Sequence, residues 1–422
     1  CTPATAVSLP MFDIAVACLV GTALFAYVNE RWIRLPGTVG VMTIAMVLSL
    51  GLVVTHHLGW EFAYRPVTAF LNDVDFSAML MDGMLSLLLF AGALHVRFDQ
   101  LRSYRLAVLA LSIVATLVST VIVGWITWML AGWAGLPLSL WYCMVFGALI
   151  SPTDPVAVMG LLQRYKAPAS MSVTIAGESL FNDGVGVVLF VLFTRMAVSG
   201  QSPDMQGILH TVGQEVGGGL ALGLALGLLL NLLMRSIDNY VVEVMLTLAG
   251  VLGGYQLALH LECSGPLAMV VTGLLVGNAG RASAMSELTR QHVDMFWELM
   301  DQILNAVLFV FLGLELLLIP FSPQLLGLGA CAVGVALLAR FVSAGLPTWA
   351  FGRWLRLPPV SWKVLTWGGV RGGISVALAL SLPAGEARSA ILALTYCVVV
   401  FSLLVQGMTM GGVLQRTLRQ DA

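Results

Sequence analysis

Charge is what this sequence has least of. Its 20 basic and 22 acidic side chains make up 10% of 422 residues, against 59% apolar, where an average soluble domain carries about 25% charged residues. So few charges could not cover a soluble globule of that size, whereas lipid tails solvate an apolar helix surface directly. The chain therefore reads as an all-helical polytopic membrane protein. Its nearly balanced charge leaves no basic face for nucleic acid and no acidic tail. Cysteine is sparse as well. Cys1, Cys18, Cys143, Cys263, Cys331 and Cys397 stand singly, without a CxxC pair and mostly inside apolar runs, which fits buried packing better than metal binding. No charged n-region with a cleavage site precedes the first apolar run, so a conventional signal peptide is absent from the reading. Met11 is a candidate natural start for a chain whose Cys1 to Pro10 are of unassigned origin, and Cys1 by itself is thin ground for a lipidated end.

Runs of about 20 apolar residues, bounded by charge or by Pro and Gly, suit a hydrocarbon core of roughly 30 Å. Thirteen emerge, centred on residues 12–28, 37–55, 78–95, 106–130, 140–162, 173–198, 213–234, 240–260, 265–278, 298–319, 325–351, 362–382 and 387–414. Alternate loops then differ sharply in basic residues. One set holds 15 (Arg31, Arg34, Arg97, Arg102, Arg105, Arg164, Lys166, Arg235, Arg281, Arg290, Arg353, Arg356, Lys363, Arg416 and Arg419), the other only Arg65, Arg195 and Arg388. Cytoplasmic loops retain such residues, which puts the N-terminus outside and the C-terminus in the cytoplasm. Residues 1–422 are expected to form one transmembrane domain with no soluble regulatory domain. Gly219, Gly223 and Gly227 in the seventh run have the spacing of close helix packing, and secondarily of a dimer face.

Two runs carry breaks. In the fifth, Pro152 and Pro155 bracket Thr153 and Asp154; in the twelfth, Gly368, Gly369, Gly372 and Gly373 surround Arg371. Proline cannot donate a backbone hydrogen bond, and freed carbonyls at bilayer depth are tolerated where they line a polar cavity. With the seventh run (213–234) as a linker, residues 1–198 and 240–414 form two six-span halves, and the broken helix is fifth in each. A seven-span offset reverses orientation, so the halves read as inverted repeats whose discontinuous helices 5 and 12 cross at the midplane. Asp154 and Arg371 are suited to offset the opposite partial charges of the half-helix ends.

The sixth run places Glu178, Ser179, Asn182 and Asp183 at helical spacing on one face. Ionisable groups at that depth cost several kcal/mol each, so they pair or carry function. Asp154, Glu178 and Asp183 against Arg340 and Arg371 leave one carboxylate over, assigned to Asp183. A spare carboxyl becomes neutral by binding a proton or a hard monovalent cation, and only its ionised form is a good ligand, so the two compete. Exposed alternately to each side, such a group exchanges one cation for one proton. Hydroxyls of Thr153 and Ser179 and carbonyls of the broken fifth run would complete an oxygen shell. The competing possibility is a static salt-bridge network, in which Glu178 pairs with either Arg340 or Arg371.

Three strings, SPTDP at 151–155, GESLFND at 177–183 and WGGVRGG at 367–373, with Arg340 in the run preceding the third string, resemble the monovalent cation/proton antiporter-1 family: NhaP-type bacterial antiporters and animal Na+/H+ exchangers. That resemblance implies an NhaA/NhaP-like fold, transport without a cofactor and location in a bacterial inner membrane. It implies Asp183 as the essential cation and proton carrier, with Asp154, Thr153, Ser179 and Asn182 around it. Through the Asn182–Asp183 pair it implies electroneutral exchange of Na+ or Li+, with a K+ or electrogenic exchanger as the alternative. It also pairs Glu178 with Arg340 and implies a homodimer, in which spans four to six and eleven to thirteen move against a dimerisation part. The sequence departs from some relatives in span three, where residues 87–96 (LLLFAGALHV) offer no glutamate.

Other polar residues are assigned bland roles. His56, His57, His95, His210, His260 and His292 fall at run ends or in loops, and His95, closing the third run, is the outlier among them. Asp82, Glu215, Glu243, Glu298, Asp301 and Glu315 are expected to face headgroups or loops, with Asp301 and Glu315 as alternative members of an ion funnel. An intramembrane protease is disfavoured, because the chain has no HExxH and no histidine at mid-membrane. A channel is disfavoured because filters are usually built around a multi-subunit axis.

Overall fold

The computed structural model describes residues 11–421 apart from residues 36, 60, 74–75, 201–204, 282–284 and 320–321; Cys1 to Pro10 lie outside it. The described residues are helical throughout, joined by short turns. Eight helices are long and apolar enough to cross a membrane: Gly37–His56, Arg105–Trp133, Ala169–Ser199, Gln206–Arg235, Tyr240–His260, Glu287–Leu318, Pro323–Phe351 and Glu386–Leu418. Shorter apolar helices run over Met11–Val28, Leu85–Leu94, Leu140–Ile150 and Gly265–Gly280.

Both suspected breaks are present. Leu140–Ile150 ends at Ser151, and the chain resumes as Val156–Arg164 beyond Pro155. Ser361–Trp367 is followed by a non-helical stretch to Gly372 and then by Gly373–Leu380. The two interruptions meet, and the backbone N–H of Asp154 donates to the carbonyl of Val370 at 2.7 Å. Close approach explains Gly372, since a Cβ there would run into the carboxylate of Asp154.

Charge proves a poor marker of where helices stop. The helix placed at 298–319 begins three turns earlier, at Glu287, capped by the Ser286 hydroxyl on the N–H of Thr289. Glu298 and Asp301 consequently lie along a helix and not at its end. Glu243 and Glu315, expected at headgroups, are buried. The segment between the second and third runs, expected as a loop, contains the helix Glu61–Asp73. At 13 residues it is too short to span, and its two sides differ: Leu71 is buried whereas Phe62 is 95% exposed.

The glycine stripe is used inside the chain. Cβ atoms at Gly223 and Gly227 would lie 2.8 Å from the Cβ atoms of Val271 and Leu275, so these glycines bring Gln206–Arg235 against Gly265–Gly280. The latter helix uses its own glycines to approach Leu85–Leu94: a Cβ at Gly273 would stand 2.7 Å from the carbonyl oxygen of Phe90 and from the Cβ of Ala93. We expect Gly273→Ala to lower the thermal midpoint of the detergent-purified protein, because a rigid backbone leaves the methyl no room and overpacking costs about 1–3 kcal/mol. Gly253→Ala, where nothing lies within 4 Å, should leave the midpoint level or raise it; an equal fall in both would refute the packing argument.

Candidate functional site

An α-helix leaves its last carbonyls without intrahelical partners, and inside lipid no water is available to take them. At the first break those carbonyls are taken by the second broken helix. The Arg371 guanidinium donates through Nη1 to the carbonyls of Ser151 (2.8 Å) and Pro152 (2.9 Å), and the Ser375 hydroxyl donates to that of Leu149 (2.7 Å). At the second break, Arg340 Nε donates to the carbonyl of Leu365 (2.9 Å) and the Gln406 amide to that of Trp367 (2.9 Å). Each negative helix end thus meets a buried arginine. The Ser402 hydroxyl holds Arg371 from below by accepting its backbone N–H at 2.8 Å.

The acidic helix, Ala169–Ser199, is latched to the first break through Thr153. The Asn182 side-chain amide donates to Thr153 Oγ1 at 3.0 Å, and the Ser179 hydroxyl donates to the Thr153 carbonyl. One turn earlier, Glu178 points elsewhere. Both of its oxygens accept from the two terminal nitrogens of Arg340, one at 3.1 Å, and both residues are buried. The four residues read as sharing a face therefore divide between two partners, because neighbours one position apart are rotated by about 100° around the helix.

Between these elements lies a cavity of about 540 Å³. Thr153, Asp154, Ser179 and Asp183 line one wall, and the N-terminus of the half-helix Gly373–Leu380 opens onto it through Gly372 and Gly373. The facing wall carries Glu298, Asp301, Gln302 and Asn305 of Glu287–Leu318, with His95 beside them. Asn182, Glu178, Arg340 and Arg371 do not line it. Asn182 acts on the wall from behind, by fixing Thr153. The charged or titratable side chains of the lining are four carboxyls and one imidazole, with no lysine or arginine. Glu298 and Asp301 belong to the wall although no motif marks them; their spacing of three, continued by Gln302 and Asn305, gave a helical polar stripe that could have found them.

Two interrupted helices crossing beside an acid-lined cavity define the class of a secondary membrane transporter, in which broken helices build the substrate site. The family model for the transmembrane sodium/hydrogen exchangers matches residues 19–416, and the chain belongs to that family. It is 45% identical over 413 residues to the Na+/H+ antiporter NhaP of Pseudomonas aeruginosa, covering 96% of this chain and 97% of that protein. It is 33% identical to the Na+/H+ antiporter NhaH of Halobacillus dabanensis over 94% of this chain and 96% of that one. Its fold is similar to that of the sodium proton antiporter MjNhaP1 from Methanocaldococcus jannaschii at pH 8, with a TM-score of 0.76 at 19% identity over 97% of this chain and 98% of that one.

The buried pair makes a stability test. Glu178→Gln leaves the Arg340 charge uncompensated inside the protein, a change that costs about 3–5 kcal/mol in comparable buried pairs. We expect poor recovery and a lowered thermal midpoint, with Arg340→Lys failing as well because an ammonium cannot make the two-point contact. Wild-type yield and midpoint for Glu178→Gln would show that Arg340 is held by its carbonyl bond alone.

Proposed function

We propose that this protein exchanges Na+ or Li+ for H+ across a bacterial inner membrane, one for one, with the two ions competing for Asp183. The observation that carries this reading is the shared cavity wall, where the Asp183 and Asp154 carboxyls stand beside the Thr153 and Ser179 oxygens at the crossing of the broken helices. Carboxylates, hydroxyls and carbonyls suit a hard cation such as Na+. A single carboxyl that must shed its proton before accepting a cation couples the two fluxes without further machinery. Asp154, next to the positive end of Gly373–Leu380, is the supporting charge; Asn182 holds Thr153 in place; Glu178, Arg340 and Arg371 are structural.

The architecture proposed with it has thirteen spans in two inverted repeats, 1–198 and 240–414, joined by 213–234, with the N-terminus outside. In that orientation His95 and Gln163, which line the cavity, lie toward the basic, cytoplasmic loops, so the cavity is the inward-facing access route. The homodimer, with spans four to six and eleven to thirteen as its moving part, rests on the family resemblance.

The test is transport in everted vesicles or proteoliposomes with an internal pH dye. Na+ or Li+ should dissipate an acid-inside gradient, the apparent KM for Na+ should rise as pH falls, and Asp183→Asn should abolish exchange. Retained exchange in that variant would sink the assignment, and a rate steepened by an imposed potential would exclude one-for-one stoichiometry. A gradient collapsed by K+ in place of Na+ would assign the alternative substrate.

A further inference from the structure

The cavity wall facing Asp183 carries groups that the exchange reading leaves unused. Asp301 is the one held in place. Asn305, one turn further along and buried, donates its side-chain amide to Asp301 Oδ1 at 3.1 Å and to the Asp301 carbonyl at 2.9 Å. Glu298, one turn earlier, is exposed and has no such clamp. The groups that face Asp301 electrostatically are Asp154 from the first break, His95 at the end of Leu85–Leu94, and Glu298 on its own helix. His95 donates through Nδ1 to the Ala91 carbonyl, which only accepts, at 2.8 Å.

We propose that Asp301 is a second carboxylate on the cation's path, an outer holding point from which Na+ or Li+ passes to Asp183. The inference rests on the antiport reading. With no lysine or arginine among the described residues of the wall, a fixed carboxylate there has a proton or the transported cation to neutralise it. A route with more than one stopping point also suits transport, since each point binds strongly enough to admit the ion and weakly enough to release it.

The experiment is the Na+ dependence of exchange in proteoliposomes at about pH 8, where an ordinary carboxyl is ionised, for the wild type, Asp301→Asn and Asp301→Glu. Asp301→Asn should raise the KM for Na+ about tenfold, roughly what one charge about 12 Å away contributes at an effective dielectric near 20. The rise in KM should exceed the fall in maximal rate. Asp301→Glu should stay within about twofold. Should Asp301→Asn not be recovered in folded form, Asp301→Ser serves for the same measurement. A KM unchanged in Asp301→Asn, or a fall in maximal rate alone, overturns the proposal. A wild type that moves no protons in response to Na+ overturns the antiport reading itself, before any variant is compared.

Discussion

Everything in this structure follows from a backbone problem: two helices are interrupted inside an apolar chain, and the carbonyls released there have no water to turn to. The crossing solves it reciprocally. Arg371 from the second break closes the end of Leu140–Ile150, while Arg340 and Gln406 from neighbouring helices close the end of Ser361–Trp367. Satisfying four carbonyls in this way commits both buried arginines to structure. That commitment sets the electrostatics of the site, because the positive charges are spent on the closed side of the crossing and the acids remain on the cavity side.

Glu178 and Asp183 show how finely this sorts residues of one type. They sit five positions apart on the same helix, yet Glu178 is buried against a bidentate arginine and Asp183 lines open volume. Asn182, between them in sequence, does not line the cavity; its side-chain amide bonds to Thr153, which does. A sum of charges over the membrane interior misses this division. It balances Asp154 and Glu178 against two arginines as though any acid could neutralise any base, whereas the Arg371 guanidinium donates to carbonyls.

The breaks and the acidic helix were legible in the sequence because proline, clustered glycine and carboxylates are costly within apolar runs and so stand out against them. The facing wall was not. Glu298 and Asp301 were read as facing headgroups or loops, with Asp301 alone of the two kept as an alternative ion-funnel member, since a charge beside an apolar run ordinarily marks the water boundary; here the helix begins three turns before Glu298 and both residues line a cavity. Glu243 misled in the same way, being buried in the first turn of Tyr240–His260. The glycine stripe at 219, 223 and 227 was legible as a packing surface but not as to its partner, since glycine spacing specifies how close a neighbour comes and says nothing of which helix it is.

Alternating access requires that some contacts persist while others give way, and the bonding pattern sorts them. The acidic helix and the first break are joined by directional bonds through Thr153, and the first break is joined to the second by Asp154, Arg371 and Ser375. Pulling any of these apart would strand buried polar groups, so these segments are bound as one unit. Toward the facing wall the character of the contact changes. Leu180 of the acidic helix packs in an apolar cluster with Phe90 and Trp297, and Gly373 abuts Leu308 of the cavity-wall helix. Apolar surfaces can slide and repack without leaving a donor or acceptor unpaired, so the boundary available for movement runs along the cavity, between the body that holds Asp183 and the wall that holds Asp301. A rocking motion along that boundary would change the separation of the two carboxylates while leaving each one's own support intact. This is the geometry required of an ion path whose two ends must never be open together.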